Sequence, residues 1–150
     1  HRMTTEIILA ADASLRYREE ILLGRFGEPG GRLETSLRVD VERAAPRRRP
    51  LLHQELHLGP DVPGVAGPAV LAGARAVGSV LIAGPAISPD PVGSSVGDGV
   101  ALLPLAGAGV LVSALADGAV TLRRRLDSLA GPLIGSLGDA PAHHEGRPRT

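Results

Sequence analysis

Residues 32–42 read RLETSLRVDVE. Leu33, Thr35, Leu37, Val39 and Val41 alternate with Arg32, Glu34, Ser36, Arg38, Asp40 and Glu42, the period-two pattern of a strand with one buried and one wet face. Upstream, Leu15, Tyr17, Glu19, Ile21 and Leu23 alternate with Arg16, Arg18 and Glu20, and the glycine-rich residues 24–31 join the two runs. A long antiparallel hairpin is the expected pairing. Further strands are expected at residues 4–9, at 51–58 with Leu52, Leu56 and Leu58 on one face, and at 74–83. From Gly99 to Ala116 the chain runs 18 residues without a charge, the lower limit for a membrane-spanning helix. Pro104, Gly107 and Gly109 interrupt that run, so two buried strands, 100–105 and 110–115, explain it better and no membrane contact is expected. One helix is expected, capped by Asp117, with Ala119, Leu122, Leu126 and Leu129 on one face, Arg123, Arg124 and Asp127 opposite, and Gly131-Pro132 as its stop. The segment from Gly84 to Gly99 is rich in Pro, Gly and Ser and reads as a long surface loop. The fold class is therefore mainly β: an antiparallel or mixed sheet scaffold with a short α-helix in the C-terminal half. Residues 1–137 form one domain, and 138–150, which lack periodicity, read as a flexible tail.

Composition narrows the function classes. The 150 residues suffice for one domain with a real core. Tyr17 and Phe26 are the only aromatics, so platforms for stacking bases or sugars are nearly absent. The 16 basic residues, all arginine, balance 16 acidic ones, which leaves no broad electrostatic footprint for nucleic acid. The absence of cysteine excludes disulfides, thiolate nucleophiles and thiolate metal sites, and is compatible with a cytoplasmic address. Lysine and asparagine are also absent, as a GC-rich genome would favour. Residues 4–9 are too short for a signal-peptide core, and His1-Arg2-Met3 suggests a truncated chain or an internal start at Met3.

Four motifs invite a chemical reading. Gly93-Ser94-Ser95-Val96-Gly97 has the letters of a nucleophile elbow, with Ser95 as a hydrolase nucleophile. A proline-broken loop precedes it and a strand follows, so the strand-turn-helix that lifts such a serine is missing. Residues 24–31 resemble a phosphate loop but lack the lysine and the following helix, and Glu28 would repel an anion. His53, Glu55 and His57 share a strand face and suit a borderline divalent ion such as nickel or zinc as a stand-alone metal site. They spread over about 13 Å, however, and a solvated face is the simpler reading. His143-His144-Glu145 falls in the expected tail. The arginine runs 47–49 and 123–125 read first as a solvated loop and a solvated helix face; the second is the better interface candidate, because a helix would fix its charges.

Three blocks in order resemble the C-terminal part of the urease accessory protein UreD family, also called UreH. The first is Arg18-Glu19-Glu20-Ile21-Leu22-Leu23-Gly24-Arg25-Phe26-Gly27-Glu28, similar to the family's strand ending in Leu-Gly-Arg and a Gly-Glu pair. The second is Pro50-Leu51-Leu52-His53-Gln54-Glu55-Leu56, leading after a loop into Gly67 and the aliphatic run that ends at Leu81. The third runs from Gly109 to Asp117 and on through Leu129. The resemblance implies a mostly β scaffold that works as a chaperone and not as an enzyme. Its implied partners are apo-urease and the accessory proteins UreF and UreG, with a homodimer inside the accessory complex. Nickel would pass in transit, with no cofactor bound permanently. It singles out Arg25, Glu28 and Glu20 as residues of an interface or nickel path. With the family's opening strands absent, an unpaired strand edge and poor solubility are expected.

Overall fold

The computed structural model describes residues 1–24, 28, 30–43, 47–87 and 93–138, the last four by backbone alone. Eight strands and one helix follow one another: β1 (Arg2–Leu9), β2 (Leu15–Leu22), β3 (Leu33–Glu42), β4 (Arg48–Leu58), β5 (Ala76–Ala83), β6 (Ser95–Gly97), β7 (Val100–Pro104), β8 (Gly109–Ala116) and α1 (Ala119–Gly138). They form a three-stranded sheet of order β1-β3-β4 and a five-stranded sheet of order β2-β5-β8-β7-β6. The mainly β class expected from the alternation is what the chain adopts.

The expected hairpin of β2 and β3 does not form. β3 pairs in parallel with β1 and antiparallel with β4, while β2 crosses to the other sheet and pairs antiparallel with β5. The physical reason lies in β5, whose eight residues are all buried. A strand apolar on both faces needs a layer on each side. Helix α1 supplies one: Ala76, Val80 and Ile82 join Val110, Val112, Leu122 and Leu126 in one apolar cluster. The three-stranded sheet supplies the other, where Leu37 and Val39 of β3 meet Leu81 and Leu111, flanked by Ile7, Leu15, Tyr17 and Leu52. Thr5 of β1 and Tyr17 of β2 share a hydrogen bond of 3.4 Å across the two sheets. β2 and β3 thus lie in different sheets and are not the two arms of a hairpin.

The pair β7–β8 forms as expected, closed by Leu105 N–H donating to Gly109 O at 3.0 Å. Among the described residues no helix is long and apolar enough to cross a membrane. Part of the expected 84–99 loop is strand β6, exposed along its whole length. Helix α1 departs twice from expectation. Leu122 N–H donates to Gly118 O at 3.0 Å, so the capping position is Gly118, one residue after the expected Asp117, and the helix begins at Ala119. It also continues through Pro132 to Gly138, 20 residues in all, and is not short. A proline inside a helix forfeits a backbone bond and costs about 3 kcal/mol. Leu133 and Ile134, just beyond it, pack on the core cluster, and that burial holds the helix on course.

Candidate functional site

One end of the sandwich is not closed by strands. Leaving β2, the chain reaches Leu23, whose N–H donates to Arg75 O at 2.9 Å, and Arg75 Nη2 returns a bond to Leu23 O at 3.3 Å. Arg75 N–H in turn donates to Ala116 O at 2.8 Å, which ties the entry to β5 to the end of β8. Between this junction and the end of β4 lies an open cleft of about 290 Å³ lined by Leu23, Glu28, Leu58, Val65, Leu71 and Arg75. Its walls are mostly apolar, and a carboxylate and a guanidinium both border it. Of the residues singled out by the resemblance, Glu28 lines this cleft and is exposed. Arg25 lies outside the described residues.

Glu20 lies elsewhere. Alternation along β2 turns Arg18 and Glu20 toward α1, since their partners in β5 are Val80 and Gly78. Glu20 accepts from Arg18 Nε at 2.7 Å and from Arg123 Nε at 2.8 Å, and Arg18 Nη1 also donates to Asp127 Oδ1 at 2.7 Å. This chain of four charges straps the helix to an edge strand. Burial pulls the Glu20 carboxyl upward, but the bonds from Arg123 and Arg18 outweigh it and hold its pKa below the ordinary glutamate value. A carboxylate shared by two guanidiniums has little capacity left for a passing cation, so the geometry suits Glu20 to holding the helix.

Its neighbour Glu19 has the opposite surroundings. It faces the space between the sheets, opposite the buried Ser79. Burial alone raises its pKa, and no ion pair offsets that among the described residues. The two carboxylates should therefore respond to pH with opposite signs. Glu20, with a depressed folded pKa, contributes stability at neutral pH that is lost as pH falls through that value. Glu19, with a raised one, costs stability at neutral pH and is relieved as pH falls. Glu19→Gln should raise the melting temperature at pH 7 and Glu20→Gln should lower it, each by a few degrees at most. Both differences should shrink below the carboxylate range, and melting curves at pH 7 and pH 3 check this.

The other sequence candidates are not assembled into sites. His53, Glu55 and His57 are exposed on the outer face of β4, and only His53 Nε2 and Glu55 Oε1 approach each other, at 3.5 Å. Among the described residues no three histidine or acidic side chains converge on a metal position. Ser95 opens β6 and pairs with Leu102, with a second strand after it and no helix. His53 and His57 belong to the other sheet. His143, His144 and Glu145 lie outside the described residues, as does the expected tail 138–150 apart from Gly138, which ends α1.

Sequence reading missed Arg75 and Glu19. The signal for Arg75 was a single charge in the otherwise uncharged run from Ala69 to Leu81. For Glu19 it was a carboxylate on the apolar phase of an alternating strand.

Comparison with known proteins bears on the same residues. The family model described as UreD urease accessory protein matches residues 1–146. A urease accessory protein UreD of Parafrankia sp. (strain EAN1pec) is 73% identical over 93% of this chain and 52% of its own length. The corresponding protein of Frankia alni is 57% identical over 88% of the chain and 48% of its own length. Urease accessory protein UreD 3 of Streptomyces griseus is 49% identical over 91% and 52%. The chain thus spans about half the length of the curated relatives it matches. With strands, helix and cleft all inside the matched region, the chain belongs to the UreD urease accessory protein family.

Proposed function

We propose that the chain acts in urease maturation as a non-catalytic scaffold in the cytoplasm, meeting apo-urease and the accessory proteins UreF and UreG while nickel is delivered to the urease active site. The observation that supports this is the family match over residues 1–146. The open, largely apolar cleft bordered by Glu28 and Arg75 is suited to contact with another protein, because pockets at the ends of rigid scaffolds collect functional groups. Arg25 stands three residues before Glu28 in the sequence, and nickel in transit is the cargo, with no resident cofactor.

The test separates a functional pair from a structural one. Glu28 is exposed and makes no ion pair among the described residues, and an exposed charge pair is worth at most about 1 kcal/mol. Arg25→Ala with Glu28→Ala should therefore melt within a few degrees of the parent. Urease activation in a system reconstituted from apo-urease, UreF, UreG and nickel should fall at least tenfold, about 1.4 kcal/mol of lost interaction. Full activation by the stable double variant would remove the pair from the site, and failure of the unaltered chain to associate with any of these partners would overturn the reading itself.

A further inference from the structure

The arginine run of α1 divides into three situations. Arg123 is taken up by Glu20. Arg125 donates through Nη1 to Leu115 O and lies over Gly99, where a Cβ would come within 2.7 Å of that nitrogen; the φ of 71° at Gly99 is what favours glycine there. Arg124 is exposed and has no hydrogen bond or ion pair among the described residues. It borders a cleft of about 500 Å³ between α1 and the β6–β7 hairpin, whose other walls include Ser95, Val96, Asp98, Arg125 and Leu129. Val96, 79% exposed, is an apolar shoulder beside the free guanidinium.

We propose that this cleft docks an acidic segment of a protein partner, with one carboxylate taken by Arg124. A guanidinium presents a planar fork that matches a carboxylate with two parallel bonds. An apolar shoulder beside it excludes water and strengthens the contact, the arrangement found where arginine anchors protein interfaces. The charge count selects the occupant. Asp98 in the same cleft opposes any anion, and it opposes a phosphate dianion more than the single charge of a carboxylate, which one unpaired guanidinium can neutralise. Nucleic acid is disfavoured by zero net charge and two aromatics in the whole chain. Arg125, tied to Leu115 O, forms another wall of the cleft. The site is distinct from the cleft of Glu28 and stands whether or not that cleft serves urease.

The test uses the whole chain, isotope-labelled, with the peptide acetyl-Leu-Glu-Leu-Glu-Leu-amide and its glutamine counterpart as probes. The glutamate peptide should shift the backbone amide signals of residues 95–100 and 124–129, and the glutamine peptide should not. Arg124→Ala should melt with the parent and bind the glutamate peptide about fivefold more weakly or worse, the scale of one charge-assisted contact. Arg47→Ala, an exposed arginine on the other sheet's loop, should bind as the parent does. Absence of shifts at millimolar peptide overturns the proposal, as does equal weakening by Arg47→Ala. If inorganic phosphate moves the same amides and the peptide does not, the cleft is an ion site and the docking assignment is wrong.

Discussion

Gly78→Val should lower the melting temperature by roughly 10 °C, the cost of a core overpacked by about 3 kcal/mol in a chain of this size. Gly78 sits in the middle of β5, paired with Glu20 on one side and Ala114 on the other. Its missing side chain is the space into which α1 settles. A Cβ there would lie 2.9 Å from Glu19 O, 3.1 Å from Leu122 Cδ2 and 3.1 Å from Leu126 Cδ1. The leucine ends can rotate, but the carbonyl belongs to a ladder and cannot. Because β5 is hydrogen-bonded on both edges, the strand has no free direction in which to relieve the contact. Valine adds two more carbons at the same point and forces the helix outward. Thermal and urea melts on Gly78→Ala and Gly78→Val should show a graded loss, and a valine variant within a degree of the parent would mean that the helix does not rest on this strand.

Leu126→Ala should cost about 2–5 kcal/mol, the range for deleting a fully enclosed leucine. Leu126 is 0% exposed and meets β5 and β8 together. The cavity it leaves opens directly beside Gly78. The two substitutions should therefore not add: in the Leu126→Ala background, part of the valine at position 78 can occupy the vacated volume. The double variant should be more stable than the sum of the single losses predicts, by about 1 kcal/mol. The contact with Glu19 O persists, so recovery is partial. Urea titrations of the four proteins complete the cycle, and strict additivity would show that the helix and strand do not share this space.

The half-buried strands were legible because alternation is a local property. In β3, each inward residue of the written pattern, from Leu33 to Val41, is buried or half-buried. Partner choice was not legible. The runs around Tyr17 and Leu37 look like two arms of one hairpin because both alternate and a glycine-rich run joins them. What separates them is the two-faced burial of Ala76–Ala83, more than thirty residues downstream. The end of α1 was misread for a related reason. Proline is a strong local stop signal, and here it is overruled by Leu133 and Ile134, whose contacts lie in another part of the chain. Of the candidate site, Glu28 could be found through its motif, whereas Arg75 could not, because what marks it is the cleft it borders. Glu20 was visible as a motif residue, whereas its two arginine partners, one of them a hundred residues away, were not.

The crossing of β2 between β1 and β3 has a consequence for the order of synthesis. As the chain emerges from the ribosome, β1 finds its partner once β3 has appeared, and β3 and β4 can close as a hairpin soon after. β2 leaves the tunnel before either of them but has no strand to join until β5 follows, and β5 has no second neighbour until β8 is made. Pairings between segments so distant in the chain form slowly, because the intervening loop must be closed first. Until β5 emerges, more than fifty residues after β2, an alternating strand carrying Leu15, Tyr17 and Ile21 waits without a ladder. The charged face of Arg16, Arg18 and Glu20 on that same strand keeps it from joining a wrong one in the interval.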